Sequence, residues 1–173
     1  MEPLSVGVHS VAQLGGFKAG QKIMVFGAGP VGLLCMAVAR ALAASRIIAV
    51  DVVESRLDFA AKFVGADVFF PPNLQGGEKR IDFSKRVAED IKNRLQIDEH
   101  GVNAVDLVID ASGAEVCIQM GLFLVKYGGT FVQVAPPPSS IPGATIQLIV
   151  TGWNGIPRSD SPNAALLIKG THG

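Results

Sequence analysis

The chain is poor in cysteine, with only Cys35 and Cys117 among its 173 residues. Each stands alone in an apolar, helix-like stretch. That excludes a disulfide framework and a structural zinc motif of closely spaced cysteines. It leaves the reading of buried free thiols in a reducing compartment, most simply the cytosol. Net charge is also missing, because 15 Lys and Arg balance 15 Asp and Glu. No basic stripe offers itself to nucleic acid or to an anionic membrane. No apolar run reaches the roughly 18 residues that span a bilayer. Glu2, Pro3 and Ser5 interrupt the N-terminus where a secretory leader would carry a basic and then an apolar segment, so no leader is expected.

What is present is apolar. The chain is 49% hydrophobic, with a mean hydropathy of +0.38. A parallel sheet covered on both faces has this character, because its strands are buried on both sides. The length suits one domain with a sizeable core.

Periodicity divides the chain into alternating elements. Leu4, Val8, Val11 and Leu14 recur near helical spacing before Gly15-Gly16. Residues 22–26 read as a strand, residues 31–44 as an apolar helix with Pro30 at its start, and residues 46–50 as a second strand ending at Asp51. Residues 55–64 form a helix stopped by Gly65, and 67–70 a third strand. Beyond the polar loop 71–79, Asp82 can cap a helix carrying the stripe Phe83, Val87, Ile91 and Leu95. Lys85, Arg86, Glu89, Asp90, Lys92 and Arg94 form its solvated face. A fourth strand spans 104–109, a helix spans 115–125 ahead of Gly128-Gly129, and a fifth strand spans 130–134.

This alternation predicts an α/β doubly wound parallel sheet, the Rossmann fold, as a single domain. The expected division is a lead-in helix over 1–20, a dinucleotide-binding domain over 21–151 and an irregular tail over 152–173. Residues 145–151 could add one more strand. After Val134 the composition changes, with six of the ten prolines at or beyond Pro136.

One stretch carries chemistry. Residues 25–34 read VFGAGPVGLL, a Gly-x-Gly-x-x-Gly pattern between the first strand and its helix. Gly27 lets the chain turn sharply, Gly29 leaves the backbone open to a pyrophosphate, and Gly32 lets helix and strand pack closely. Pro30 and Val31 open the helix whose free N–H groups and positive dipole end would face the phosphates. Asp51 follows at the spacing of a residue that accepts the ribose hydroxyls of the adenosine half. A carboxylate there would repel a 2′-phosphate, so NAD is expected over NADP. Arg56 either packs on the adenine and ribose or is a solvated helix residue. Ala111, Ser112 and Val134 close the fourth and fifth strands and are expected to line the ribose and nicotinamide end. Asp110 either joins them or forms a turn or helix cap.

These blocks resemble the coenzyme-binding domain of the zinc-dependent medium-chain alcohol dehydrogenases, and within them the sorbitol and xylitol dehydrogenases. EPLSVGVH at residues 2–9, VFGAGPVGLL at 25–34, Asp51 with Ser55-Arg56-Leu57, DASGAE at 110–115 and GGTFVQV at 128–134 carry the resemblance. It implies oxidation of a sugar alcohol such as xylitol or sorbitol to a ketose, with hydride transfer to NAD. In that family a zinc ion, held mainly by an upstream catalytic domain, polarises the hydroxyl. The sequence begins after that domain, so no metal ligand set is expected. Glu2 is the single match to the zinc neighbourhood, a remnant of the catalytic centre. His9, His100 and His172 are scattered. The expected partner is NAD(H), with no zinc bound, no nucleic acid and no membrane. The chain alone is expected to be inactive; the alternative is a non-catalytic dinucleotide-binding module or sensor. The atypical tail Ala135-Pro136-Pro137-Pro138 would weaken any homo-oligomer, because the family's dimer strands follow this point.

Overall fold

The computed structural model describes residues 2–134 and 149–151 of the chain. Among them, six strands form one sheet in the order β3-β2-β1-β4-β5-β6. β1 (Lys22–Phe26), β2 (Arg46–Val50), β3 (Asp67–Phe69), β4 (Val105–Asp110) and β5 (Val125–Gln133) run parallel, and β6 (Ile149–Thr151) pairs antiparallel with β5. The expected Rossmann-type sheet is therefore present. Of the strand expected over 145–151, the last three residues are β6. Residues 145–148, the Ala135–Pro138 run, His172 and the 152–173 tail lie outside the described residues.

Alternate residues of each strand feed opposite layers. Ile23 and Val25 join Ile47, Ala49, Leu107 and Ile109 beneath α2 (Pro30–Ala41) and α3 (Glu54–Val64). Met24 and Phe26 join Ile48, Val50, Val108 and Phe131 beneath α4 (Arg80–Leu95) and α5 (Glu115–Leu124). Both strand faces are apolar for this reason, and fully burying each such side chain is worth about 1.5–3 kcal/mol. The stripe Phe83, Val87, Ile91 and Leu95 packs into the second layer as its spacing predicts. On the charged side of α4, Lys92 is mostly buried and bridges Glu89 and Glu99 at 2.9 Å each.

Four local expectations are corrected. The first helix, α1 (Glu2–Val8), continues as a π-helical turn over His9–Leu14, and its buried face is Gly7, Ser10 and Val11 while Leu4 and Val8 are exposed. Gly7 sets this face, because a Cβ there would lie 3.3 Å from the Leu34 carbonyl carbon of α2. Asp82 is not the cap of α4: Lys79 holds that position, and Asp82 sits in the first turn, where its charge complements the helix dipole. Gly128-Gly129 does not stop a helix. α5 ends at Leu124 and these glycines lie inside β5. Gly129 marks a close approach, since its Cβ would stand 2.9 Å from the Asp106 carbonyl oxygen of the neighbouring strand. Last, Cys35 is fully buried as expected, but Cys117 is only partly so.

The strand order reverses between β1 and β4. β2 and β3 extend to one side of β1, and β4, β5 and β6 to the other. In open α/β sheets, ligands bind outside the carboxyl ends of the strands at such a switch point.

Candidate functional site

The glycine loop leaves β1 at this switch point. Gly27 has φ +92°, and its N–H donates to the Val50 carbonyl at 2.8 Å. A Cβ at Gly27 would stand 3.1 Å from the Ala111 carbonyl group and the Ser112 nitrogen. A left-handed backbone and tight space both demand glycine here. At Gly32 a Cβ would fall 1.8 Å from the Gly27 oxygen, so α2 can sit on the loop only without one. Gly29 differs. Its backbone is extended, at φ −74° and ψ −176°, and a Cβ would meet nothing within 4 Å. The fold therefore does not require glycine at 29.

Pro30 opens α2, where its missing N–H costs nothing. The helical ladder begins with the Leu33 N–H donating to the Gly29 carbonyl at 2.9 Å. The N–H groups of Val31 and Gly32 precede it and have no intrahelical acceptor. They project at the positive end of the α2 dipole.

Asp51 stands at the carboxyl end of β2 and is 7% exposed. Its Oδ2 accepts the Ala28 N–H at 2.7 Å, and its Oδ1 accepts the Val53 N–H at 2.8 Å. One carboxylate thus ties the glycine loop to the second strand, a role the sequence spacing did not reveal. Each oxygen keeps a lone pair for a ligand hydroxyl. The half-exposed Arg56 guanidinium lies 3.8 Å from Oδ2.

The fourth strand ends in a tight turn organised by Asp110, which is fully buried. Its Oδ1 accepts the Ser112 N–H at 3.0 Å, the Ser112 hydroxyl at 2.7 Å and the Gly113 N–H at 3.3 Å. Its Oδ2 has no hydrogen-bond partner among the described residues. Burial pushes the Asp110 carboxyl above the usual aspartate range, and the three donors oppose that only in part. A raised folded pKa favours the fold while the group is protonated. That contribution is full below the unfolded value of about 3.9 and is lost as pH rises through the folded value. Asp110→Asn is therefore expected to gain stability relative to the native chain as pH rises from about 3.5 towards neutrality. Urea unfolding at several pH values checks this, and parallel pH profiles would contradict it.

These elements enclose a cavity of about 570 Å³. Gly27, Gly29, Asp51 and Arg56 line it on one side, and Ala111 and Ser112 on another. Its size falls within the range of small-molecule sites. Sequence reading missed its outer wall: Pro71, Pro72, Asn73 and Leu74 after β3, Arg80 and Phe83 of α4, and Val116, Cys117 and Met120 of α5. A proline pair directly after a strand was the available signal for the first group. Cys117 faces this cavity beside Ser112, and burial pushes its thiol up to about 11.

The remaining residues that the sequence singled out fall elsewhere in space. Val134 follows β5, with its N–H donating to the Asp110 carbonyl at 2.8 Å, but its side chain packs into the α2 layer of the core rather than the cavity wall. Glu2 opens α1, and its side chain lies outside the described residues. His9 bonds Gln13 along its own helix, and the His100 ring stacks on Tyr127 at 5.9 Å. Among the described residues, no group of three His, Cys, Asp or Glu could hold a metal ion, and no helix is long and apolar enough to cross a membrane.

The comparisons with known proteins agree with this geometry. Residues 30–152 match the family model described as zinc-binding dehydrogenase. The chain is 44% identical to D-xylulose reductase A of Aspergillus niger over 133 residues, covering 77% of the chain and 34% of that protein. It is 47% identical, over the same shares, to the probable D-xylulose reductase A of Aspergillus fumigatus. The chain thus spans about a third of the length of these relatives. Among solved structures, 2R,3R-butanediol dehydrogenase from Bacillus subtilis superposes with a TM-score of 0.63 at 26% identity, over 80% of this chain and 35% of that one.

Proposed function

Because the chain belongs to the zinc-binding dehydrogenase family and carries its NAD-binding half, we propose that it serves the oxidation of a sugar alcohol of the xylitol or sorbitol type to a ketose. The observation that carries the cofactor part is the pairing of Gly29, a glycine the fold does not need, with Asp51 at the end of the next strand. The likeness to D-xylulose reductases supports the substrate class.

The residues present fit the dinucleotide. The N–H groups of Val31 and Gly32 would hold the pyrophosphate, with Gly29 keeping its approach open. Asp51 would accept the adenosine ribose hydroxyls, flanked by Arg56. The apolar wall of Pro71, Leu74, Val116 and Met120 would exclude water from the adenine. Ala111 and Ser112, on the turn held by Asp110, would face the nicotinamide, with Val134 fixing that turn through the main chain. Bound NAD supplies the hydride acceptor for the substrate carbon. The described residues do not fit zinc.

We place the protein in the cytosol, a reading supported by its two free thiols. Any homo-oligomer is expected to be weakened by the atypical run Ala135-Pro136-Pro137-Pro138. A non-catalytic dinucleotide-binding module would share the same cofactor site.

Cofactor choice tests the role given to Asp51. The native chain should bind NADH at least about 100-fold tighter than NADPH, because a 2′-phosphate would meet a buried carboxylate. Asp51→Ser should bring the two affinities to within about tenfold of each other. Equal affinities in the native chain would overturn this assignment.

A further inference from the structure

The outer wall of the cavity comes from α4 and α5, elements far apart in sequence, and polar groups join them behind that wall. Ser84 is fully buried on α4. Its hydroxyl lies 2.9 Å from the Arg80 carbonyl one turn back, 2.9 Å from Gln119 Oε1 on α5 and 3.3 Å from the Val116 carbonyl. The Gln119 amide in turn donates to Glu115 Oε1 at 3.2 Å. Glu115 Oε2 accepts the Arg80 guanidinium. The Ser84 hydroxyl has one proton; donated to Gln119 Oε1, it starts a circuit that runs through Gln119 and Glu115 to Arg80, and the single turn of α4 between Arg80 and Ser84 closes it. Its centre is buried, and its outer ion pair is exposed. Arg80 and Phe83 on one helix, and Val116, Cys117 and Met120 on the other, line the cavity from the residues between these links.

We propose that Ser84 is a positioning residue for the cofactor: through Gln119 and Glu115 it fixes the spacing of α4 and α5, and so the width of the adenosine end of the cavity. This rests on the reading of the cavity as an NAD site. Binding AMP or the AMP half of NADH then requires no reorganisation of that wall, which is the benefit of preorganisation. On the proposed placement the nicotinamide half would lie on the Ala111 and Ser112 side, away from α4, and would gain nothing from the circuit.

The test uses the full chain and its Ser84→Ala and Glu115→Ala variants, titrated with NADH, AMP and reduced nicotinamide mononucleotide. Glu115 lies outside the cavity wall and is exposed, so its removal interrupts the circuit without unfolding the core. Each variant should weaken NADH and AMP by about tenfold, and leave the mononucleotide within about twofold of the native chain. The double variant should lose no more than either single one, because both break the same circuit. Unchanged AMP affinity in both variants would overturn the proposal. So would equal losses for AMP and the mononucleotide, which signify general loosening. Failure of the native chain to bind NADH or AMP would instead overturn the NAD reading beneath it.

Discussion

Gly29→Ala is expected to weaken NADH binding by on the order of 100-fold, about 2.7 kcal/mol, while costing the fold about 1 kcal/mol or less. The two halves of this result have separate origins. The backbone at Gly29 lies in the extended region that any residue adopts, and an added Cβ meets no atom of the protein within 4 Å. The small stability cost is the usual preference for glycine over alanine at a helix N-cap. Gly29 lines the cavity, and on the proposed NAD site the added methyl would stand where the loop approaches the pyrophosphate. NADH titration beside thermal unfolding separates the two. An alanine variant that binds NADH like the native chain would remove the reason for a glycine at this position.

Gly32→Ala should fail in the opposite way, through the fold. Its Cβ would fall 1.8 Å from the Gly27 oxygen, 3.0 Å from the Gly27 carbonyl carbon and 3.4 Å from Val25 Cγ1. Backbone has to move, and the loop is held from two other directions. Gly27 is bonded to Val50 at 2.8 Å, and its α-carbon faces the Ala111 turn. Overpacking of a rigid contact costs about 3 kcal/mol or more, a large part of the stability of a small domain. Urea unfolding should show that loss, and NADH binding should fall with it. A Gly32→Ala variant of native stability would mean that α2 does not rest on the loop as described.

The two glycines share one motif, and the structure adds the distances that divide them: a Cβ is barred at Gly32 and meets nothing at Gly29. From sequence, the pattern assigned Gly27 to the turn, Gly29 to the approach of a pyrophosphate and Gly32 to close packing. Strands β1 and β2 were legible to the residue because compact apolar runs end at Gly27 and Asp51. The start of α4 was not, because Lys79 caps it without a side-chain hydrogen bond and Asp82 looked like the better cap. The exposed Leu4 and Val8 misled for a different reason. The close approach of Gly7 to α2 decides which face of α1 is buried, and periodicity of large apolar residues does not register a glycine contact. In the site, the glycine loop, Asp51, Ala111 and Ser112 were legible because they lie at strand ends with known offsets. The outer wall was not. Arg80, Phe83, Cys117 and Met120 belong to helices whose meeting depends on tertiary packing, and Ser84 and Gln119 carry no motif. Asp51 stood out from its spacing as a candidate for the ribose hydroxyls, while its bond to the Ala28 N–H required the folded loop.

The most direct test of the NAD site is calorimetric titration of the native 173-residue chain with NADH, with NADPH and AMP run in parallel. Saturable NADH binding is expected, displaced by AMP and at least about 100-fold tighter than binding of NADPH. No heat of binding with NADH from a folded chain, or NADPH bound as tightly as NADH, would contradict it.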